Sequence, residues 1–336
     1  MKKNHWFLGL DGGATTTQCV LYDRTDDRLL MTCGGPIHYA VLENDPEKLR
    51  ENIEALVNPL LAEVRIRPGD VAGAVFGISG IDEATHKKSI YKMLAGMGYE
   101  SFYLSNDAYL AIKAECRDWG IAAVNGTGFS VAGIAPNGNN LQIGGHGIMT
   151  ADKGGSRYLI PAVTGAVYAQ LFKNGPETEM TRSLADWLDG KDRSKFYQAV
   201  SDAIVRDEKG AVLAISRILY SAANQGDREA LRILTESGKD YAAAICCAAS
   251  ILKLPHPIQV VLAGAQFTKC ECSRTIDVIA EELEKIGGFH ISLISSEPVA
   301  GALFWAMEIV GEAPDDELRK SLRERLCTIK TNQQTP

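Results

Sequence analysis

The first 33 residues alternate between apolar and polar positions in a way that is typical of half-buried strands. The apolar runs cover residues 6–10, 18–23 and 29–33, and short polar turns separate them. No helix fits between runs this close together. We therefore expect the chain to open with an antiparallel meander.

A helical spacing replaces this alternation after residue 44. Asp45-Pro46 is a helix start signal, and the apolar residues of 49–64 fall on one helix face. Further on, strands are predicted at 71–76 and 102–104 and helices at 83–95 and 108–116. Such alternation of strands and helices predicts parallel pairing in an α/β sheet.

The second half of the chain repeats this opening. A strand at 121–124, a Gly/Thr turn, a strand at 129–135 and a third at 141–143 form a second predicted meander. Two meanders of the same kind indicate an internal duplication. The remaining predicted elements are helices throughout 156–252, strands at 260–263 and 291–293, and helices at 273–285, 299–310 and 315–326.

The length of 336 residues exceeds the size at which one core usually stops growing, which favours two domains. We predict an α/β protein with one domain at 1–118 and another at 119–314 that carries a helical insertion.

The composition narrows the kind of partner. A formal net charge of −7, with basic and acidic residues interspersed, gives no basic face for nucleic acid or for an anionic membrane. No apolar run approaches the roughly 20 residues that cross a bilayer. The eight cysteines form no CxxC pair, and the start of the chain does not resemble a signal peptide. We expect a cytoplasmic protein with a small-molecule ligand, and we expect most cysteines to be small core residues.

The first turn, Asp11-Gly12-Gly13-Ala14-Thr15, has the composition of an anion-binding loop. Glycines allow consecutive backbone amides to point at one anion, and the hydroxyls of residues 15–17 are further donors. An acid at the head of such a loop would repel phosphate unless a divalent cation lies between them, which makes Asp11 a candidate Mg²⁺ ligand. The alternative is an ordinary hairpin turn.

Three other segments favour the nucleotide hypothesis. Asn125-Gly126-Thr127-Gly128 offers the same donors from the second half, and residues 260–269 end a buried strand in small residues that suit a flat ring. Ser105-Asn106-Asp107 places a carboxylate between a strand and a helix. Asp107 is either a helix N-cap, the more common role of such an aspartate, or a general base for a hydroxyl that attacks a γ-phosphate; both roles can hold at once.

These segments together resemble a known superfamily. Asp-Gly-Gly-Ala-Thr-Thr-Thr, Ser-Asn-Asp-Ala, Asn-Gly-Thr-Gly, Gly-Gly-His-Gly and Leu-Ala-Gly-Ala occur in this order over nearly the whole chain. In this order they resemble the acetate and sugar kinase/Hsp70/actin superfamily. Within it, the chain is similar to the BadF/BadG/BcrA/BcrD ATPase family, which contains N-acetylglucosamine kinase. The resemblance implies two ribonuclease H-like domains that close on ATP and a sugar, with the C-terminal helix, 315–328, crossing back to the first domain.

The resemblance also assigns residues. It implies that Asp107 is the base that activates a sugar hydroxyl and that Asp11 serves Mg²⁺. It implies ATP contacts from Asp11, Gly12, Gly13, Ala14, Thr15, Thr16, Gly126, Thr127, Gly128, Gly264 and Ala265. It implies sugar contacts from Asn106, Gly145, His146, Gly147 and Asp152. By analogy with superfamily kinases, we expect a homodimer.

The chain departs from the family pattern on the sugar side. The loop at 34–39 lacks the asparagine that bonds sugar hydroxyls, with Ile37 in the loop, and Phe129 replaces a serine after the second turn. His146 stands in place of a tryptophan, and Lys153 replaces an acid. Lys153 indicates either an acidic substrate or a lysine that points to solvent, the more common case.

Two other functions remain open. The same family includes ATPase activators of 2-hydroxyacyl-CoA dehydratases, which bind a [4Fe-4S] cluster between two subunits through cysteines. The chain offers the pairs Cys246-Cys247 and Cys270-Cys272. The third hypothesis is a non-catalytic nucleotide or sugar sensor, in which the departures have abolished transfer.

Overall fold

The structure is a computed structural model that describes residues 5–81, 83–146, 149–188 and 195–334. Its first sheet has five strands in the order β3-β2-β1-β4-β5. They are β1 Trp6–Gly12, β2 Thr17–Asp23, β3 Arg28–Gly34, β4 Val71–Ile78 and β5 Phe102–Ser105. β1, β2 and β3 pair in antiparallel fashion, whereas β4 runs parallel to β1 and β5. The predicted opening meander and the parallel strands after it are confirmed.

The second sheet also has five strands, in the order β10-β9-β6-β7-β8. They are β6 Gly120–Asn125, β7 Phe129–Ile134, β8 Asn140–Gly144, β9 Ile258–Ala263 and β10 Phe289–Leu293. Read from β8, this order is that of the first sheet, since each central strand has a meander on one side and two later strands on the other. The common order agrees with the predicted internal duplication, and the predicted α/β class is confirmed.

Twelve α-helices lie among the described residues. They are α1 Pro46–Glu63, α2 Ala84–Gly96, α3 Leu110–Glu115, α4 Ser156–Phe172, α5 Met180–Trp187, α6 Phe196–Arg206, α7 Glu208–Asn224, α8 Arg228–Leu252, α9 Ala265–Thr268, α10 Arg274–Glu284, α11 Pro298–Glu308 and α12 Asp316–Gln334. Asp45 caps α1 as the sequence predicts, because its carboxylate accepts from the amide of Glu47 at 2.9 Å. Helices α4 to α8 lie between β8 and β9. The matching segment of the first half, between β3 and β4, contains α1 as its α-helix.

Contacts divide the chain into two compact units. One comprises residues 1–122, 132–140 and 294–336, and the other comprises 123–131 and 141–293. Helices α11 and α12 therefore belong to the first unit. The units divide the chain at other positions than the predicted 118 and 315, and the predicted domain limits stay a prediction.

Helix α11 packs very closely against the first sheet and against α3. Two glycines of the sheet face this helix, and a third glycine lies within it. A Cβ on Gly9 or Gly73 of the sheet would overlap the backbone of α11. A Cβ on Gly301 of α11 would overlap the carbonyl of Leu110 in α3. Strands β1 and β4, α11 and α3 therefore pack at backbone distance, which fixes the position of α11 relative to β1 and β4.

The cysteines are less buried than expected. Cys19 is buried, Cys33 and Cys247 are exposed, and the other five are intermediate. The prediction that most of them are core residues is therefore wrong. The error has a physical reason: α8 is apolar on most sides near its end, but its outer face, which carries Cys247, meets solvent.

Candidate functional site

Asp11 lies at the carboxyl end of the central strand of the first sheet. Its ladder partners are Gln18 on β2 and Gly77 on β4, and it is partly buried. Burial is the main reason that the pKa of Asp11 is raised to about 7, and the carboxylate of Glu297 raises it further, whereas Lys330 lowers it. A cation bound beside this carboxylate would therefore lower its pKa and favour its charged form.

The turn after Asp11 is anchored by its carbonyl groups. The Gly12 carbonyl accepts from the amide and the hydroxyl of Ser79, each at 2.9 Å, and the Gly13 carbonyl accepts from the Ile37 amide at 3.1 Å. In a trans peptide the carbonyl and the following N–H point in opposite directions. The N–H of Ala14 therefore points away from Ile37.

The side chains of the first turn divide into two kinds. Thr15 and Thr16 are exposed and can donate to a ligand, whereas Thr17 is fully buried at the start of β2. The prediction that the hydroxyls of all three threonines are ligand donors stays a prediction, since Thr17 Oγ1 is buried and has no hydrogen-bond partner within the described chain. Strand β2 begins at this residue and turns its side chain into the core.

Asp107 lies two residues after the end of β5, the third of the mutually parallel strands of the same sheet. β5 ends at Ser105, and a single 3₁₀ turn, Asp107–Tyr109, leads into α3. The N-cap of this turn is Asn106, whose side chain accepts from the Ala108 amide at 3.0 Å. The interpretation of Asp107 as the helix cap is therefore wrong, because Asn106 is the last extended residue and takes that role. Asn106 is buried, whereas Asp107 is partly exposed.

The glycine turn of the second unit is anchored from the start of α4. The side-chain oxygen of Asn125 accepts from the Gly155 amide at 2.7 Å. The carbonyls of Gly126 and Thr127 accept from the amides of Ser156 and Arg157 at 3.0 and 3.1 Å. By the same trans-peptide geometry, the N–H groups of Thr127 and Gly128 point away from α4. Backbone donors are thus directed outward, as an anion-binding turn requires.

Gly264 lies against this turn. A Cβ on Gly264 would lie 2.5 Å from the Asn125 carbonyl oxygen, and the residue has a φ of +93°, which favours glycine. The structure therefore brings the predicted adenosine segment and the second predicted phosphate turn together. Ala265 begins the four-residue helix α9 and is exposed.

Phe129 packs beneath the second turn. Its ring stacks on Tyr241 with a centroid distance of 4.2 Å, and Tyr241 donates to the Val124 carbonyl at 2.9 Å. Gly144 and Gly154 leave the space that the Phe129 ring occupies. Phe129 is 4% exposed. Its replacement of serine therefore changes the packing that supports the turn.

The predicted sugar-contacting residues of the second unit form a small loop. The Asp152 carboxylate accepts from the Gly145 amide at 3.1 Å and from the Thr150 hydroxyl at 2.6 Å. Gly145 and His146 are exposed. Gly147 lies outside the described residues. Asp152 therefore has a role in shaping this loop, and its contact with a sugar stays a prediction.

Lys153 is partly exposed to solvent and also forms an ion pair within the chain. Its ammonium group pairs with the Glu236 carboxylate at 3.1 Å, and its amide donates to Asp240 at 2.8 Å. Glu236 also pairs with Arg232 at 2.7 Å. An intramolecular carboxylate thus already neutralises Lys153, which weakens the argument for an acidic substrate.

A cavity of 240 Å³ lies beside the loop that lacks the family asparagine. It is lined by residues 32–37 and by Asn52, Ala55 and Leu56 of α1. The Asn52 side chain donates to the Pro36 carbonyl at 3.4 Å. An amide is therefore present at this loop, but from the neighbouring helix, 16 residues away in the chain.

Three polar residues that the sequence motifs did not indicate as site residues lie next to Asp11. Gln18, Glu297 and Lys330 form a hydrogen-bonded group on the same side of the sheet. A glutamine in an otherwise apolar strand was a signal for Gln18. Nothing local marks the other two, since 279 residues separate Gln18 from Glu297.

Two features are absent from the described ranges. None of their helices is long and apolar enough to cross a membrane. Within the same ranges, no three His, Cys, Asp or Glu side chains converge as a possible metal site.

Comparison with solved structures identifies the class of protein. A candidate N-acetylglucosamine kinase from Chromobacterium violaceum superposes with a TM-score of 0.67 at 18% identity, over 92% of this chain and 99% of that one. A ROK family glucokinase from Streptomyces griseus, solved with glucose and AMPPNP, gives a TM-score of 0.52 at 18% identity, over 90% of this chain and 99% of that one. The protein therefore has the two-domain α/β fold of actin-like ATPases.

Sequence comparison identifies the family. The chain belongs to the BadF/BadG/BcrA/BcrD ATPase family, which matches it over residues 8–306. An N-acetylmuramic acid/N-acetylglucosamine kinase from Clostridium acetobutylicum is 23% identical over 265 residues, which cover 77% of this chain and 84% of that protein. The family resemblance predicted from the sequence motifs is confirmed.

Proposed function

We propose that this protein is an ATP-dependent kinase that phosphorylates a hydroxyl group of a sugar or amino sugar. The observation that carries the proposal is the environment of Asp107. This carboxylate stands at the end of β5, partly exposed, while Asn106 provides the cap of the following turn. A carboxylate in this position, with capping assigned to its neighbour, is suited to accept a proton from a substrate hydroxyl.

Several findings support ATP and an N-acetylated sugar as the substrates. The chain belongs to an ATPase family. The relative from Clostridium acetobutylicum bears the name of a kinase for N-acetylmuramic acid and N-acetylglucosamine. The outward amides at Thr127 and Gly128 and the carbonyl-anchored turn after Asp11 suit phosphate groups. N-acetylglucosamine or glucosamine is our proposed substrate class.

The donor set at Asp11 fits Mg²⁺. The carboxylate is accompanied by the side-chain oxygen of Gln18, which is buried and accepts no hydrogen bond within the described part of the chain. Oxygen donors of this kind suit a hard divalent cation. When bound, Mg²⁺ would offset the negative charge of the phosphates beside Asp11.

In the proposed reaction, both glycine turns bind ATP, with Gly12 to Thr16 and Gly126 to Gly128 in contact with the phosphates and Gly264 and Ala265 beside the adenosine. A sugar hydroxyl oxygen attacks the γ-phosphorus, and the bond from that phosphorus to the β,γ-bridging oxygen breaks. Asp107 takes the hydroxyl proton and later releases it to solvent. The products are a sugar phosphate and ADP.

The rest of the proposal concerns sugar binding and assembly. Asn106, Gly145, His146, Gly147 and Asp152 are proposed sugar contacts. A homodimer and a cytoplasmic location are part of the same proposal. The packing of Phe129 beneath the second turn is compatible with phosphate binding there, because this departure leaves the outward amides of the turn in place.

The test is a product assay with a panel of acceptors. Purified protein is incubated with MgATP and glucosamine, N-acetylglucosamine, N-acetylmannosamine, glucose or N-acetylmuramic acid, and ³¹P NMR identifies any new phosphate ester. We expect one or two amino sugars to give a sugar phosphate in equal amount to the ADP formed. ADP formation without any phosphate ester, whatever the acceptor, would contradict the proposal.

A further inference from the structure

A polar cluster, consisting of Gln18, Glu297 and Lys330, lies on the face of the first sheet that carries Asp11. Asp11 and Gln18 are directly opposite each other on the antiparallel ladder, so their side chains lie on the same face. The Gln18 side-chain amide donates to Glu297 Oε2 at 2.8 Å, and Lys330 Nζ donates to the same oxygen. The cluster therefore contributes one carboxylate, one amide and one ammonium group beside Asp11.

The amide oxygen of Gln18 is the unusual feature of the cluster. Gln18 is 8% exposed, and within the described chain its Oε1 accepts no hydrogen bond. Reversing the amide would direct oxygen at the Glu297 carboxylate, where two acceptors would repel each other. Leaving a buried acceptor unpaired costs about 1–3 kcal/mol, so such an atom is expected to have a partner in the functional state.

Glu297 is held firmly but is not used as a helix cap. It occupies the N-cap position of α11, yet its side chain makes no capping hydrogen bond. The two residues before it are fixed by Glu115, which accepts from the amides of Ser295 and Ser296 at 2.9 and 3.0 Å. The Glu297 carboxylate therefore has a defined position, directed at Gln18 and Lys330.

The charges near Asp11 suit a divalent cation. Asp11 and Glu297 together carry two negative charges when ionised, and Lys330 supplies one positive charge. Glu297 and Lys330 act on Asp11 in opposite directions. Two carboxylates with an amide oxygen form an all-oxygen donor group, which favours Mg²⁺ or Mn²⁺ over softer metals.

We propose that Gln18 and Glu297 complete the divalent-cation site of Asp11, as oxygen donors to the cation or to its bound waters, and that Lys330 weakens the affinity of that site. This inference rests on the proposed function, which places Mg²⁺ at Asp11. It adds Gln18 and Glu297 as binding residues and gives the C-terminal helix α12 a role in setting metal affinity.

The test measures binding of Mn²⁺ alone, by electron paramagnetic resonance of the full chain without nucleotide or sugar. We expect Glu297→Gln and Gln18→Met to weaken Mn²⁺ affinity about 10-fold or more, as losses of groups around a metal typically do. We expect Lys330→Met to strengthen the affinity several-fold, because it removes a positive charge beside the site.

The opposite signs separate a metal role from a structural one. Glu297→Gln and Lys330→Met both break the same ion pair, so a purely structural role would change Mn²⁺ affinity in the same direction in both variants. Glu236→Gln, which breaks the Lys153 pair in the second unit, is the matched control and should leave affinity unchanged. Thermal melting of each variant checks that it is folded.

Weakened affinity in both ion-pair variants would overturn the inference, as would unchanged affinity in both or undetectable Mn²⁺ binding by the wild type at millimolar concentration. Failure of the proposed function gives a different pattern. In that case Mn²⁺ binding responds to Glu297 and Lys330 as stated, but no acceptor is phosphorylated.

Discussion

The two sheets share a strand order but differ at the end of the central strand. In the first sheet β1 ends in Asp11-Gly12, and in the second β6 ends in Asn125-Gly126. Asp11 is partly exposed and its pKa is raised to about 7, whereas Asn125 is 3% exposed and neutral. The end of the central strand therefore carries a titratable carboxylate, Asp11, in the first unit. In the second unit it carries Asn125, whose side chain anchors the Gly155 amide.

The turns that follow these residues are anchored differently. In the first unit, the Gly12 and Gly13 carbonyls accept from Ser79 and Ile37. In the second, the carbonyls of the turn accept from the first amides of α4. The start of α4 is thus occupied by the turn itself. The proposed phosphate contact of the second unit therefore rests on the turn, while α4 positions that turn.

Among changes to the two strand ends and their surroundings, the largest effect should come from removing the carboxylate charge of Asp11. Asp11→Asn should lower turnover with MgATP by about 10²- to 10³-fold, as loss of a group that stabilises transition-state charge does. Steady-state kinetics with the identified acceptor measure this change. Asn125→Asp, which adds a carboxylate at the matching place, should not restore turnover to the Asp11→Asn protein. Restored turnover would show that the two strand ends are equivalent.

Asp11→Asn should also stabilise the metal-free protein. Because the folded pKa of Asp11 lies above the unfolded value of 3.8, the ionised group destabilises the fold increasingly from pH 4 to about 7 and constantly above that. In EDTA, Asp11→Asn should therefore melt at a higher temperature than the wild type at pH 8 and at nearly the same temperature at pH 4. A lower melting temperature at pH 8 would contradict the burial argument.

The next largest effect concerns the interlocked helices of the first unit. Gly301→Ala places a methyl group against the Leu110 carbonyl, and overpacking of this kind should cost about 3 kcal/mol of unfolding free energy. Urea denaturation measures it. Gly165→Ala in α4 is the matched control, since nothing lies within 4 Å of its added methyl group. It should be neutral or slightly stabilising. Equal losses in both variants would argue against close packing as the cause.

Removing the anchor of the second turn should have a smaller effect. Asn125→Ala leaves the Gly155 amide without its acceptor and should cost about 1–3 kcal/mol. The ATP dissociation constant, measured by calorimetry, should rise as the turn loses its position. An unchanged ATP affinity in a folded Asn125→Ala protein would mean that the turn does not depend on α4.

The smallest effect is expected beneath that turn. Tyr241→Phe keeps the ring stack on Phe129 but removes the hydrogen bond to the Val124 carbonyl. The expected loss is about 1 kcal/mol of unfolding free energy, with turnover nearly unchanged. A large loss of turnover in this variant would give Tyr241 a direct role in catalysis.

Local pattern was sufficient to predict most of the fold. The apolar run at 18–23 lies within β2, whose seven residues are all buried, and Asp45-Pro46 marked the start of α1 as the structure has it. Short motifs also indicated which turns come together, because Gly264 does lie against Asn125. These successes share a cause: strand alternation, caps and glycine turns are determined by neighbours in the chain.

The predictions failed where the role of a side chain depends on residues distant in the chain, or on which of two neighbouring residues ends a strand. Asn106 and Asp107 are both good caps, and only the end of β5 decides between them. Lys153 is partly exposed, as expected, but its ion-pair partner Glu236 comes from a helix far along the chain and was not predicted. Glu297 and Lys330 join Asp11 only after α11 and α12 have packed on the first sheet, so no local pattern could reveal them.

The most direct test of the account is the turnover of Asp107→Asn with the identified acceptor, measured as ADP release beside the ATP dissociation constant. A missing general base should lower kcat by about 10²- to 10⁴-fold while ATP affinity stays close to that of the wild type. Near-normal acceptor-dependent turnover in a folded Asp107→Asn protein would contradict the central claim that this carboxylate takes the proton from the substrate.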